Sequence, residues 1–250
     1  MPDKRRHRGM HPDDPKLFGV DVVPVLRRAV ADYSMLLTLG YAAASSLKLI
    51  CDHFSLTQRQ RAAVMRCACS DDQVRQRAER RVPASGLRGQ TLAIDGYNLL
   101  ITAETSLSGG YVFRGRDGCW RDIAGLHGTY RKVDETIPAL EWLAGRLDGL
   151  GVASVIWLLD RPVANSGRLR ALMYELAQTD HRPWQIELTD SPDRDLIAAD
   201  RVIATSDSAI LDNARRWTNL TACLLDAPPP GLPAFRASLI DLASPADSAL

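Results

Sequence analysis

The chain has no run of about eighteen apolar residues, the length a membrane-spanning helix needs, so no membrane partner is expected. No apolar stretch comes after the opening MPDKRRHRGM, which excludes the pattern of a secretory signal. Cysteines number only five, an odd count in 250 residues. That argues against a disulfide framework and for reduced thiols and a cytoplasmic location. There is no internal repeat, and a composition of 46% hydrophobic and 24% charged residues excludes a disordered or fibrous chain.

A strong net charge is also missing, but the formal +1 conceals an asymmetry. Residues 1–88 hold 16 of the 31 Lys and Arg against 9 of the 30 Asp and Glu, so the first part is basic and the remainder acidic. A basic module beside a carboxylate-rich one suits a protein that grips nucleic acid next to a metal-binding site.

Two periodicities divide the chain. Val22, Val23, Leu26, Val30, Tyr33 and Leu37 form one apolar stripe at helical spacing, stopped by Gly40. A second helix is expected over Tyr41–Phe54. Capping-box pairs, Thr57 with Gln60 and Ser70 with Gln73, open a third and a fourth. Residues 83–90 carry the Pro, Gly and Ser of a linker, so a basic all-α domain is expected over 1–82. Beyond it lie short β-rich runs: TLAID, SVIWLLD, WQIEL, RVIATSD, LTACLLD and ASLIDL. Helical stretches at 131–150, 168–178 and 208–217 separate several of them, predicting an α/β domain over 91–250 around a mainly parallel sheet. Residues 106–129 fit neither period and are expected to form a long functional loop.

Three of these strands end in aspartate: Asp95, Asp160 and Asp207. A fourth runs into TDSPDRD, with Asp190, Asp193 and Asp195. Strand ends of an open parallel sheet share one edge, where ligands bind. Clustered carboxylates repel unless they hold a cation or share protons, and oxygen-only donors favour Mg²⁺ or Mn²⁺ over zinc. The competing explanation is that each Asp caps the helix after it; for Asp207 alone that reading is preferred. Cys51-x-His53 and Cys67-x-Cys69 carry zinc-binding atoms, but one-residue spacings at both ends are atypical of structural zinc, so buried thiols are expected instead.

The string LAIDGYNLL, with Asp95, Gly96, Tyr97 and Asn98, resembles the opening of the PIN-like ribonuclease superfamily, in particular its NYN branch. WLLDRP at Asp160, PDRDLI at Asp193 and Asp195, and VIATSDSAILD at Ser206 and Asp207 resemble its later motifs in the same order. The whole chain also resembles an uncharacterised two-domain prokaryotic family. The resemblance implies a PIN-like (Rossmannoid) fold and a Mg²⁺- or Mn²⁺-dependent ribonuclease. Asp95, Asp160 and Asp207 would ligate metal, with Asp193 or Asp195 as a further ligand. Asn98 would orient a carboxylate or touch the scissile phosphate, and Ser206 would bond the phosphate at a helix N-terminus. Glu135 is a weaker candidate ligand, with an ordinary helix-surface role preferred.

The 106–129 segment and the residues just after it carry Arg114, Arg116, Arg121, Arg131 and Lys132, interleaved with Trp120, His127 and Tyr130. Cations for phosphates with aromatics for bases are the ingredients of RNA recognition. Asn165 to Arg168 adds a candidate phosphate contact, with Ser166 equally placed to cap a helix. Three other classes compete. One is a catalytically silent RNA-binding or scaffold protein. Another is a DNA-binding regulator with Gln58, Arg59 and Arg61 opening a recognition helix, DNA being the secondary choice of partner. The third is a metal-dependent phosphatase or nucleotide hydrolase.

Overall fold

Residues 6–125, 128–226 and 238–243 are described in the computed structural model. The basic region is helical, as its periodicity predicts: α1 (Asp14–Leu17), α2 (Val23–Thr38), α3 (Ala43–His53), α4 (Gln58–Cys67) and α5 (Asp71–Arg80). Leu26, Ala29, Val30 and Tyr33 bury the stripe of α2. Gly40 takes the left-handed conformation, φ +82°, that turns the chain after it. Both capping boxes form, Thr57–Gln60 on α4 and Ser70–Gln73 on α5.

The expected linker is pinned down. Val82 donates its backbone N–H to the Trp217 carbonyl at 2.7 Å, and Leu87 is fully buried. After it come β1 (Thr91–Asp95), α6 (Gly96–Leu107), β2 (Val112–Arg114), β3 (Trp120–Asp122), α7 (Thr136–Leu150), β4 (Ser154–Asp160) and α8 (Ser166–Thr179). The chain continues through β5 (Trp184–Thr189), α9 (Pro192–Ala198), β6 (Val202–Ala204), α10 (Ser208–Asn213), β7 (Trp217–Thr218), α11 (Leu220–Leu225) and β8 (Leu239–Asp241).

Five strands form one all-parallel sheet in the order β5-β4-β1-β6-β7. Strands β1, β4 and β6 are buried on both faces, which is why they read as continuous apolar runs, whereas edge strand β5 exposes Gln185 and Glu187. Leu92, Ile94, Trp157 and Leu159 point to a layer made with α6, α7, α8 and α11. Ala93, Ile156, Leu158 and Ile203 point to the opposite layer, with Leu196 of α9 and Ile210 and Leu211 of α10. The α/β class and the helical region before it are therefore as expected. Among the described residues no helix is long and apolar enough to cross a membrane.

Several expectations are corrected. Residues 106–129 are not one irregular loop: within them, β2 and β3 pair antiparallel and β2 pairs parallel with β8, giving a second sheet, β3-β2-β8. The run LTACLLD is helix α11, not strand. Asn219 caps it by accepting from the Ala222 N–H at 3.0 Å, and apolar runs this short fit either structure until a cap decides. The run ASLIDL does contain a strand, but β8 joins the second sheet. The helical core is not self-contained either, because Phe113, Ile240 and Leu242 are buried with Phe18, Leu26, Val30, Val64 and Cys67.

Candidate functional site

Counted along the chain, the order of the main sheet reverses between β1 and β6, so the connections leaving these two strands diverge and open a crevice at their carboxyl ends. Register sets the edge out in sequence: Thr189 of β5 lies opposite Asp160 of β4, and Asp95 of β1 lies opposite Leu158. On the other side Ile94 pairs with Ala204, which brings Thr205, Ser206 and Asp207 up beside Asp95. All three strand-end aspartates thus share one edge.

Asp95 ends β1 and caps α6, accepting from the Asn98 N–H at 3.4 Å and from Thr205 Oγ1 at 2.9 Å. Gly96 makes this start possible. A Cβ there would sit 2.5 Å from Leu159 Cδ2 and 2.9 Å from the Leu158 carbonyl oxygen, so only glycine lets the helix begin against β4. Burial pushes the Asp95 carboxyl up to about 7; the charges of Asp207 and Asp193 add to it, against the Thr205 and Asn98 hydrogen bonds. Burial and then Asp193 raise Asp160, while burial and then Asp207 raise Asp193, which is exposed on the first turn of α9. These four carboxylates therefore form one electrostatic group.

Asp207 does cap α10, its Oδ1 accepting from Ala209 N at 2.8 Å and Ile210 N at 3.3 Å. Asp195 is engaged: it accepts from the Thr189 hydroxyl and lies 3.6 Å from Arg194. Among the described residues no three His, Cys, Asp or Glu side chains gather closely enough to hold one metal ion. The oxygen donors along the edge fit the other mode open to Mg²⁺, in which one or two carboxylates and several waters complete the coordination. Glu135 accepts from His7 at 2.6 Å, away from this group.

Asn98 Oδ1 receives two hydrogen bonds from Ser206, from its N–H at 3.0 Å and its Oγ at 2.7 Å. Asn98 therefore joins the start of α6 to the end of β6. Ser206 is buried with its hydroxyl committed, which corrects the expectation that it reaches a phosphate.

Most of the expected RNA contacts are engaged in the fold. Arg121 is 5% exposed; it grips Asp117 through both terminal nitrogens, at 2.9 and 2.6 Å, and donates Nε to the Ser206 carbonyl at 2.6 Å. Tyr130, 1% exposed, donates its hydroxyl to Glu104 at 2.5 Å. Arg116 bonds the Cys69 carbonyl and Asp71, each at 2.7 Å, and Arg114 pairs with Asp241 at 3.0 Å. Trp120 packs against Val112 and Leu225. The physical reason is shared: a charge or ring needed by the core looks the same in sequence as one offered to solvent. Arg131 remains exposed, with Lys132 beside it. His127 lies outside the described residues.

Sequence reading missed Asp117 and Arg77. Arg77, 2% exposed on α5, donates to Asp117 at 2.5 Å and to Asp212 at 2.8 Å. Burial alone would raise the Asp117 carboxyl, but Arg121 and Arg77 outweigh it and hold the group down at about 2. The signal available was the spacing of four between Asp117 and Arg121 across an Asp-Gly turn. Cys51, Cys67 and Cys69 are buried free thiols, and burial pushes Cys67 up to about 12 and Cys69 to about 11. His53 is exposed and edge-on to Phe54, so these four side chains form no metal site. Arg59, the expected start of a recognition helix, is spent on both oxygens of buried Asp14 at 2.6 and 2.9 Å.

Comparison with known proteins places these features in a family. A family described as "Protein of unknown function (DUF434)" matches residues 25–80, the helical region. An uncharacterized protein of Methanocaldococcus jannaschii is 26% identical over 199 residues, which cover 79% of this chain and 95% of the relative. No solved structure matches the chain. A family described as "Domain of unknown function (DUF5616)" matches residues 84–223, from the linker through the aspartate edge to α11, and the chain belongs to that family.

Proposed function

We propose that the chain is a PIN-like, metal-dependent ribonuclease that cuts RNA phosphodiester bonds at the Asp95, Asp160, Asp193 and Asp207 edge. The observation that carries this reading is the shared electrostatics of these four carboxylates at the crevice where the strand order reverses. Carboxylates kept so close are unfavourable alone, and a divalent cation relieves them. One or two of Asp95, Asp207, Asp160 and Asp193, completed by waters, would hold each Mg²⁺ or Mn²⁺, with Asp195 in reserve behind its bond to Thr189. When bound, such an ion activates water and stabilises charge on the leaving oxygen.

The chain's own residues do the rest. Thr205 fixes one Asp95 oxygen, and the Asn98–Ser206 clamp holds the ends of β1 and β6 at a set separation. Asp95 and Asp160 are half-buried, and electrostatic attraction to a cation is stronger there than in open water. The test is incubation with mixed RNAs, DNAs and nucleotides, with Mn²⁺ and separately with chelator. RNA cleavage abolished by chelator is the expected result. Protein inert on every RNA with Mn²⁺ overturns the enzyme reading.

A second reading, a catalytically silent RNA-binding domain, is favoured by one observation: no three of these carboxylates gather on a single point among the described residues. It predicts RNA binding without cleavage. The DNA-regulator reading loses one of its three residues, Arg59, which is paired internally, while Gln58 and Arg61 are exposed.

A further inference from the structure

A cavity of about 560 Å³ lies between the segment before α7 and helix α8, and none of the four aspartates lines it. Its walls are Arg131 and Lys132 from the segment before α7, and Arg168, Leu169 and Leu172 from α8. Arg131, Lys132 and Arg168 are all exposed, and no ion pair engages any of their charged ends among the described residues. Arg8, Arg59, Arg77, Arg116, Arg121 and Arg182 are each paired with a carboxylate, and what distinguishes Arg131, Lys132 and Arg168 from other unpaired surface cations is that all three line one cavity. Three uncompensated cations around one hollow repel each other unless an anion joins them. Between them the floor is apolar, with Leu169 3% exposed and Leu172 packed on the main core. Glu175 is the single acid on the wall.

Residues 161–165 join the end of β4 to the cavity wall. Asp160 ends β4, its carbonyl accepts from the Val163 N–H at 3.3 Å, and Asn165 then opens α8 with φ +70°. Asn165 Nδ2 donates to the Tyr130 carbonyl at 2.9 Å, fixing the Arg131 wall against the α8 wall. Both walls are thus built, and their separation is set by a hydrogen bond between them.

We propose that this cavity binds one nucleotide of a single-stranded RNA. Its phosphates lie on Arg131, Lys132 and Arg168, and its base rests on Leu169 and Leu172. An apolar floor with a few convergent charges, within the roughly 300–1,000 Å³ of ligand sites, suits a flat base joined to an anion. The inference rests on RNA being the substrate, but it concerns binding and not cutting. Glu175 offers an acceptor to the exocyclic amine of adenine or cytosine.

The test is fluorescence anisotropy of labelled oligoadenylate with the full chain carrying Asp95→Asn, in chelator, so that cleavage plays no part. Separate arms use adenosine monophosphate and inorganic phosphate as competitors. The combined change Arg131→Ala, Lys132→Ala and Arg168→Ala is expected to weaken oligonucleotide binding at least tenfold with an unchanged melting temperature. Arg168→Glu, a single exposed change, should do the same in part and serves if the triple variant folds poorly. Competition by the monophosphate identifies a nucleotide site; competition by phosphate as strong as by the monophosphate removes the role of the apolar floor and overturns the proposal. Unchanged affinity in both variants, or no binding by the parent, also overturns it. Binding lost in these variants by a protein that never cuts RNA would sink the nuclease reading alone.

Discussion

The guanidinium of Arg121 donates its Nε to the Ser206 carbonyl at 2.6 Å while its other side grips Asp117. One side chain of the small sheet thereby supports the strand end that carries Asp207. Through Asp117 the same group reaches Arg77 on α5. The helical region is coupled to the aspartate edge by a continuous line of buried charge.

Arg121→Ala is therefore expected to destabilise the protein strongly. It leaves Asp117 with half its compensation inside the fold, a change that costs about 3–5 kcal/mol for a buried pair. Urea denaturation reads this directly. A loss under about 1 kcal/mol, typical of a surface residue, would show that the network is not coupled as described. Arg116→Ala, on a half-exposed pair, should cost far less.

The same network sets an acid limit. The Asp117 carboxyl sits at about 2 in the fold, below the ordinary value of about 3.9 in the unfolded chain. A depressed pKa contributes stability that is present above about pH 4 and lost as pH falls through about 2, on the order of 2 kcal/mol. Unfolding free energy measured from pH 6 to pH 2 should fall in that window for the parent. Asp117→Asn should be weaker at pH 6 and show a flatter acid limb.

Asp95 has the opposite sign. Its folded value, about 7, lies above the unfolded one, so the contribution is full below about pH 4 and lost as pH rises through about 7. In metal-free buffer Asp95→Asn should gain stability relative to the parent as pH goes from 5 to 8. On the proposed function, the same variant should lose a hundredfold or more in RNA cleavage, about 3 kcal/mol. A variant that melts early yet cuts normally would make Asp95 a turn residue.

Salt gives a further measurement. If the three cations of the cavity meet the two phosphates that flank one nucleotide, the slope of log affinity against log salt for single-stranded RNA should be about −1.4. A titration at two ionic strengths with no change in affinity removes the electrostatic account.

The parts of the fold readable in the sequence were those fixed locally. Thr57–Gln60 and Ser70–Gln73 cap their helices through neighbours three residues away, and SVIWLLD declares a strand covered on both faces. Asp95, Asp160 and Asp207 were legible as an edge because strand ends in a parallel sheet always meet there. What stayed hidden depends on distant partners. Arg121 could be recognised as a core cation only once Asp117, Arg77 and the Ser206 carbonyl were seen around it. Tyr130 needed Glu104, and β8 needed β2, which lies more than a hundred residues earlier.

The pairing of β8 with β2 also bears on how the protein is made. Ile240 and Leu242 fill part of the core closed by α2 and α4, and the Asp241 carbonyl accepts from Arg27 Nε at 2.9 Å. The helical region is synthesised before residues near 240, yet it waits for them before its apolar face is fully covered. During synthesis it must hold as an incomplete bundle with Phe18 and Val30 partly open to water. Such a species is prone to associate through that face until β8 docks on it.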